Sequence, residues 1–462
     1  MEQTTAKKNK YEIDMCNGTI MDKLISFSLP LMLSGILQLM FNAVDIIVVG
    51  RFSGSQALAA VGSTSALINV FTNLFIGISL GANVLTARFY AAGREKEVSE
   101  TVHTAITLAL VSGIVMALVG LAFSRGALAL MGTPDDVIGL SALYMRIYFL
   151  GMPFFMLYNY GAAILRAVGD TKRPLLFLMI AGVINACLNM VLVIVFKLGV
   201  AGVAIATAIS QMISCVLVLR CLCRSESSYR LRFSELGMKG YYLKQIFSVG
   251  VPAGIQSTVI NFSNVLLQSS VNSFGSTAMA GYTAANNLLG FLYVSVNSIT
   301  QACMSFTSQN YGVGKLKRMD RVLADCMILS VVVAVVLGCI CYGFGPEILQ
   351  IYTEDAEVIA CGMEILAYTT ITYFLCGWMD LFPGALRGMG YSAVPMVLSV
   401  IGTVGTRVVW IFGIFPYHRS LAILFISYPA SWIITIVLQV ICFYFVRRRV
   451  HRRSQALAGQ EA

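Results

Sequence analysis

Residues 31–50 read LMLSGILQLMFNAVDIIVVG and are apolar almost throughout. A helix of roughly 20 apolar residues is long enough to cross a bilayer, so this stretch predicts a membrane span. It contains one ionisable residue, Asp45, near its far end. A charged side chain at membrane depth costs about 2.5–3.5 kcal/mol on insertion scales and is retained mainly on ion or substrate paths. We therefore expect the chain to build a cavity that the Asp45 carboxylate faces.

The composition of the whole chain is that of a polytopic membrane protein. Of its 462 residues, 58% are hydrophobic and only 12% are charged, whereas a soluble domain carries about 25% charged residues. We predict an all-α integral membrane protein with twelve transmembrane helices. The apolar runs that define them are 24–50, 58–87, 101–123, 138–164, 174–196, 200–222, 246–272, 279–307, 322–344, 360–385, 393–415 and 421–446.

The basic residues predict the orientation of these spans. With the N-terminus in the cytoplasm, the cytoplasmic segments hold 26 of the 32 Lys and Arg residues. Cytoplasmic loops of membrane proteins carry such an excess of positive charge. The same bias accounts for the net charge of +10 without nucleic acid as a partner. Both termini are therefore expected in the cytoplasm.

The two halves of the chain resemble each other. Arg166 in LRAVGDTKRP corresponds to Arg387 in LRGMGYSAVP at an offset of 221 residues, and Pro30 corresponds to Pro252 at an offset of 222. Six spans in each half give the halves the same orientation in the membrane. The predicted divisions are a cytoplasmic tail (1–23), a six-helix bundle (24–222), a cytoplasmic linker (223–244), a second six-helix bundle (245–446) and a basic cytoplasmic tail (447–462).

The order of these features resembles the multidrug and toxic compound extrusion (MATE) family over nearly the whole chain. The resemblance rests on the two six-span repeats, on Pro30 followed by Asp45 in span 1, and on L-R-x-x-G at Arg166 and Arg387. It is nearest to the bacterial DinF-like branch. It implies export of organic, often cationic compounds across the plasma membrane, driven by inward Na⁺ or H⁺, with alternating access of two bundles.

Asp45 is the first candidate for the coupling ion, as a proton site or as a Na⁺ ligand. Alternatively, its carboxylate extends to the outer interface or is satisfied by a neighbouring amide. Pro30 precedes it by 15 residues, about 22 Å of helix. A bend there could couple to protonation, or it is a static kink.

Amides and hydroxyls in the same half are the next candidates for the coupling-ion site. Asn185 and Asn189 share a helix face, and their oxygens can coordinate a cation or bridge helices. In the branch resembled, the second position is usually Asp, so Asn189 removes a carboxylate and weakens the case for Na⁺. Thr207 matches a family position that lends a hydroxyl, with a bond to its own helix as the alternative. Asn159 is a weaker candidate from span 4.

Asp380 is the second deep acid and a candidate substrate or second charge site. It precedes Arg387 by two helical turns, so a structural pair with Arg387 is the alternative. Span 7 offers Gln256 and Asn261 in place of acids that another branch of the family carries there. Arg407 in span 11 is expected to extend outward or to pair with an acid such as Glu364.

Two other function classes compete with export. A flippase for lipid-linked saccharides, which related folds perform, needs several cationic cavity residues, and the predicted spans are nearly free of Lys and Arg. An enzyme or receptor lacks support because the sequence shows no catalytic constellation and no phosphate-binding loop. We expect no cofactor other than the coupling ion H⁺ or Na⁺, with Na⁺ possible at Asp45, and a monomer that contacts small organic substrates and lipids.

Overall fold

A computed structural model describes residues 10–458, and these residues form helices and no strand. Residues 1–9 of the predicted N-terminal tail and 459–462 of the predicted basic tail lie outside the described part. The α-helices in chain order are α1 (Met21–Phe52), α2 (Ser55–Ala91), α3 (Glu95–Leu130), α4 (Asp135–Leu150), α5 (Met152–Ala167), α6 (Lys172–Asn189), α7 (Gly199–Cys223), α8 (Gly240–Asn272), α9 (Ser276–Gly312), α10 (Leu316–Gly343), α11 (Gly345–Gln350), α12 (Ala356–Thr369), α13 (Tyr373–Gly388), α14 (Ala393–Ser399), α15 (Thr406–Val409) and α16 (Leu421–Ala458).

All twelve predicted apolar runs lie on these helices. Eight described helical stretches are long and apolar enough to cross a membrane, and two bent pairs, α4 with α5 and α12 with α13, raise the number to ten. The remaining two runs lie on α8 and α9, which are equally long but contain more polar residues. The protein is thus an all-helical integral membrane protein, as predicted.

The bent pairs repeat the internal duplication in three dimensions. The axes of α4 and α5 differ by 47°, and those of α12 and α13 differ by 51°. Asp135, which begins α4, precedes Ala356, which begins α12, by the same 221 residues that separate Arg166 from Arg387. The two halves therefore share a broken span at the same place, which a chance similarity of short motifs would not produce.

Within residues 10–458, three π-helical turns interrupt the α-helical spans, at Met190–Val195, Val400–Gly405 and Trp410–Ile414. The first follows α6 directly, and the third occupies nearly the corresponding place in the second half. Turns of this kind are rare and are frequent at functional sites, because the extra residue per turn re-aims the side chains around it. They mark the stretch that contains Asn189 and the stretch that contains Arg407.

The helices form two compact units, each with its own apolar core. Of the described residues, the first unit contains 10–13 and 33–254, and the second contains 14–32 and 255–458. In α1 and in α8 the division falls two residues after Pro30 and Pro252. The start of α8 belongs to the first unit because Gly250 and Gly254 let its backbone approach α2 closely.

The predicted linker is mostly irregular and packs on the first unit. It contains one 3-10 turn, Phe233–Glu235. The Arg232 backbone N–H donates a hydrogen bond to His103 Nε2 (3.0 Å), and the Lys239 ammonium forms an ion pair with Glu100. In the second unit the edge of the Phe27 ring meets Phe306, with centroids 5.6 Å apart, so the start of α1 packs on α9.

Close packing of α9 against α12 depends on a glycine. A Cβ at Gly281 would lie 2.6 Å from the Val358 carbonyl oxygen and 2.9 Å from the Gly362 nitrogen. Gly290, on the same helix, has no described atom within 4 Å of that position. We predict that Gly281→Ala lowers the free energy of unfolding by about 1–3 kcal/mol.

The matched variant Gly290→Ala should leave stability unchanged or raise it by about 0.5–1 kcal/mol, because alanine loses less conformational freedom than glycine in a helix. Thermal unfolding of the purified variants in one detergent measures both changes. Equal unfolding temperatures for the two variants would contradict the described approach of α9 to α12.

Candidate functional site

The Asp45 carboxylate lies at the meeting point of three helices of the first unit. It is half-buried on the outer part of α1. The Asn189 amide on α6 donates a hydrogen bond to one of its oxygens, and the Thr207 hydroxyl on α7 donates to the other over 3.4 Å. Two donors from separate helices thus compensate a carboxylate that an apolar setting would otherwise leave unpaired.

The hydrogen bonds continue from Asn189 into the space between α6 and α7. The Asn189 amide donates to Asn185 Oδ1 over 3.1 Å, and the Asn185 amide donates to the Ser210 hydroxyl over 3.5 Å. The Ser210 hydroxyl in turn donates to the Thr207 carbonyl oxygen over 2.8 Å. We call Asp45, Asn185, Asn189, Thr207 and Ser210 the carboxylate network.

Local sequence explains why these side chains converge. Asn185 and Asn189 are four residues apart on α6, and Thr207 and Ser210 are three apart on α7, so each pair lies on one helical face. Asn189 is the last residue before the π-helical turn Met190–Val195. Its Oδ1 is buried and has no hydrogen-bond donor in the described structure. The network therefore contains one free acceptor, which can accept a hydrogen bond from a protonated carboxyl group or ligate a cation.

Two tyrosines on α4 lie near the carboxylate. Tyr144 and Tyr148 interact electrostatically with Asp45, and their rings stack with centroids 6.1 Å apart. The Tyr148 side chain is also hydrogen-bonded to Gln211 on α7. Sequence reasoning missed these residues. Their helical spacing of four was a signal for a shared face, but no pattern indicated that α4 faces the end of α1.

The structure brings most of the predicted coupling residues together, and leaves one apart. Asn159 on α5 donates to the Phe155 carbonyl oxygen of its own helix over 2.8 Å, and no described hydrogen bond joins it to the carboxylate network. Ser210, which was not among the predicted coupling residues, also accepts a bond within the network. Pro30 lies inside α1, which continues as one helix from Met21 to Phe52.

The second unit contains the other predicted polar site. The buried Arg387 guanidinium donates to Gln256 Oε1 over 2.6 Å. Among the described ion pairs, none joins Arg387 to Asp380, although the two residues interact electrostatically. Asn261 is exposed on α8, and Arg166, the counterpart of Arg387, is half-buried near the end of α5.

The expectation for Arg407 is wrong. Arg407 neither extends outward nor pairs with Glu364: it is 3% exposed, and its Nη1 donates to Ser263 and Asn264 on α8. The sequence placed it correctly within a span. It could not show which neighbouring helix supplies the partners, because the spacing along one helix carries no information about the helix across from it.

Known proteins share this duplicated architecture. The family profile MatE matches residues 30–191 and again 252–412, so it meets each half of the chain once. The chain belongs to the MATE family. A protein named as probable multidrug resistance protein YoeA of Bacillus subtilis is 32% identical over 92% of this chain and 93% of its own. The multidrug export protein MepA of Staphylococcus aureus is 22% identical over 82% of this chain and 84% of its own.

Solved structures agree on the fold. A MATE transporter in an outward-facing conformation superposes with a TM-score of 0.87 at 19% identity, covering 97% of this chain and all of the other. A MATE protein in a bent conformation gives 0.85 at the same identity. By the family match and these bacterial relatives, the protein is a multi-pass plasma-membrane protein of a multidrug efflux transporter family.

We predict that the loss of Asn189, which belongs to the carboxylate network, and the loss of Asn159, which does not, have different effects on efflux. Asn189→Ala removes a hydrogen bond to a charged group, which is worth about 1.5–3 kcal/mol. If this bond supports turnover, drug efflux should fall by about 10- to 100-fold. Asn159→Ala removes only a bond to its own helix and should change efflux by less than about 2-fold.

The measurement is dye efflux from reconstituted vesicles, normalised to the amount of folded transporter. Equal losses in the two variants would show that the network around Asp45 is not the part of the site that matters.

Proposed function

We propose that this MATE protein is an antiporter that exports organic, mainly cationic or amphipathic compounds, with H⁺ entering through Asp45. The observation that supports this most is the Asp45 carboxylate, held by Asn189 and Thr207 within a membrane-embedded unit. Ionisable residues at membrane depth are expensive and mark ion paths by default. Alternating access of the two bundles, as the family resemblance implies, would carry the compound across.

Asn189 suits a proton site in both states of the carboxyl group. An ionised Asp45 accepts from the Asn189 amide nitrogen, as described. A protonated Asp45 is a donor, and rotation of the amide by half a turn presents Asn189 Oδ1, the acceptor that now has no donor. One side chain thus provides the carboxyl group with a hydrogen-bond partner both before and after proton transfer.

Exchange follows if a cationic compound and a proton compete for the same negative charge. An ionised Asp45 attracts a cation, and the Tyr144 and Tyr148 rings beside it offer faces that bind cations further. Protonation removes that charge and weakens the hold on the compound. Mutually exclusive binding of this kind is what turns a proton gradient into export.

Na⁺ is the second candidate for the coupling ion, and one observation favours it. Asn189 Oδ1 is an unpaired buried acceptor, and the carboxylate of Asp45 and the hydroxyl of Thr207 supply further oxygens. Hard cations bind such oxygen sets. Asn189 in place of a second carboxylate lowers the negative charge of the site, which is why we place H⁺ first.

Asp380 remains our candidate for a second charge in the other unit. It lies near Tyr293 and Arg387 without a described ion pair, while Gln256 is engaged by Arg387. We propose that Asp380 contributes to binding cationic compounds there. The relatives quoted above are named for multidrug resistance or export, which supports export over the lipid-saccharide flippase.

The test of the proposed function is the loss of one carboxylate. Asp45→Asn keeps the shape of the side chain and removes its charge, so gradient-driven dye efflux should fall by more than about 100-fold. Asp136→Asn makes the same chemical change at an exposed acid in the first turn of α4, and should leave efflux unchanged. Efflux is measured in proteoliposomes at equal protein content. Retained efflux in Asp45→Asn would refute the assignment of Asp45.

The identity of the ion can be tested by adding a carboxylate. Wild-type efflux should follow an imposed pH gradient and not an imposed Na⁺ gradient. Asn189→Asp places two acids side by side, which raises the affinity for a metal cation by adding charge to the oxygen set. We expect this variant to gain Na⁺-driven efflux. Wild-type efflux driven by Na⁺ alone would reverse the order of the two candidates.

A further inference from the structure

A second polar cluster lies in the span that corresponds to the one carrying Asn189. Arg407 lies on α15, the short helix between the π-helical turns Val400–Gly405 and Trp410–Ile414. Its side chain is 3% exposed. A buried guanidinium is as costly in a membrane as a buried carboxylate, and it carries the opposite charge.

Neutral groups surround the Arg407 side chain. Nη1 donates to Ser263 Oγ over 3.0 Å and to Asn264 Oδ1 over 2.7 Å. The guanidinium carbon lies 4.8 Å from the centre of the Tyr428 ring, a cation–π distance. The Tyr428 hydroxyl is hydrogen-bonded to that of Tyr282 over 2.8 Å. We call Arg407, Ser263, Asn264, Tyr428 and Tyr282 the arginine cluster.

The positive charge of the arginine cluster is left unbalanced. Among the described ion pairs, none includes Arg407. Its Nε is buried and has no acceptor in the described structure. A cation–π contact and two neutral acceptors recover only part of the cost of removing a guanidinium from water. A planar fork with an unused N–H is suited to an oxygen acid, which binds arginine through paired charge-assisted bonds.

By the internal duplication, residues in or next to the arginine cluster correspond in sequence to residues in or next to the carboxylate network. Asn264 is the counterpart of Asn42, one turn before Asp45, and Tyr428 is the counterpart of Thr207 at the offset of 221. Asn185 corresponds to Thr406, the residue before Arg407. The helices of the carboxylate network, α1, α6 and α7, thus correspond to α8, α15 and α16 of the arginine cluster, with an acid in the first unit and a cation in the second.

We propose that the arginine cluster binds the anionic group, a carboxylate or another oxygen acid, of amphipathic substrates that also carry a positive charge. The inference rests on the proposed export function and adds a substrate class to it. Asn264 is exposed on α8, so one hydrogen-bond partner of Arg407 lies at the surface of the second unit. The Tyr428 ring also contacts Trp432, with centroids 5.9 Å apart, and both rings are buried in the apolar core of the second unit.

Two dyes that differ by one ester test this assignment. A rhodamine methyl ester is a cation, and its free acid is a zwitterion with the same aromatic body. In proteoliposomes, wild-type protein should transport both. Arg407→Gln should lower the ratio of acid to ester transport by about 10-fold or more, because the carboxylate loses a charge-assisted partner. Arg407→Lys keeps the charge without the planar fork and should recover part of that ratio.

The outcomes are distinguishable. If wild-type protein transports the ester and not the acid, or if Arg407→Gln leaves the ratio unchanged, the arginine cluster does not bind substrate anions. If wild-type protein transports neither dye, the proposed function is refuted, and this inference is refuted because it rests on that function. Should Arg407→Gln not fold, competition on wild-type protein decides: the free acid should displace bound ester, and an acid that does not compete overturns the assignment.

Membrane phosphate is the other source of an oxygen acid. The assay is therefore run in vesicles of phosphatidylcholine alone and in vesicles that also contain phosphatidylglycerol. A substrate site predicts the same dependence of the ratio on Arg407 in both lipids. A dependence that disappears when the anionic lipid is present would assign the arginine cluster to lipid and overturn the proposal.

Discussion

Burying an unpaired charge inside a membrane protein costs free energy, and in the first unit the hydrogen bond from Asn189 to Asp45 offsets part of that cost. The bond fixes α6 against the outer part of α1. Thr207 then brings α7 to the same point. The π-helical turn after Asn189 is explained in the same terms, because a wider turn re-aims side chains that a regular helix would direct elsewhere.

Duplication supplied the scaffold, and the two copies have diverged in the charge that they carry. The bent pairs, the proline-containing helices and a π-helical turn recur in both halves. The first unit places an acid among amides and hydroxyls. The second places Arg407 and Arg387 among an amide, a hydroxyl and aromatic rings. The fold thus tolerates either sign of charge at its polar sites, provided that neighbouring helices supply neutral partners.

Much of the fold was predictable, since long apolar runs, the basic-residue bias and a fixed offset between halves are properties of the chain itself. The convergence of Asp45, Asn189 and Thr207 could be predicted from the helical face that Asn185 and Asn189 share and from the family resemblance. Tyr144 and Tyr148 were not predictable, because their spacing defines a shared face of α4 but not the helix that this face meets. The partners of Arg407 were mispredicted because an acid was assumed where the described neighbours are an amide, a hydroxyl and an aromatic ring.

The central claim is that the Asp45 carboxyl group exchanges its proton for the exported compound. The most direct test is proton release from purified protein in weakly buffered detergent solution when a cationic substrate is added. By linkage, wild-type protein should release about one proton for each compound bound, near the pH at which Asp45 titrates, and Asp45→Asn should release none. Equal release by both proteins, or binding by wild-type protein without any release, would contradict the account.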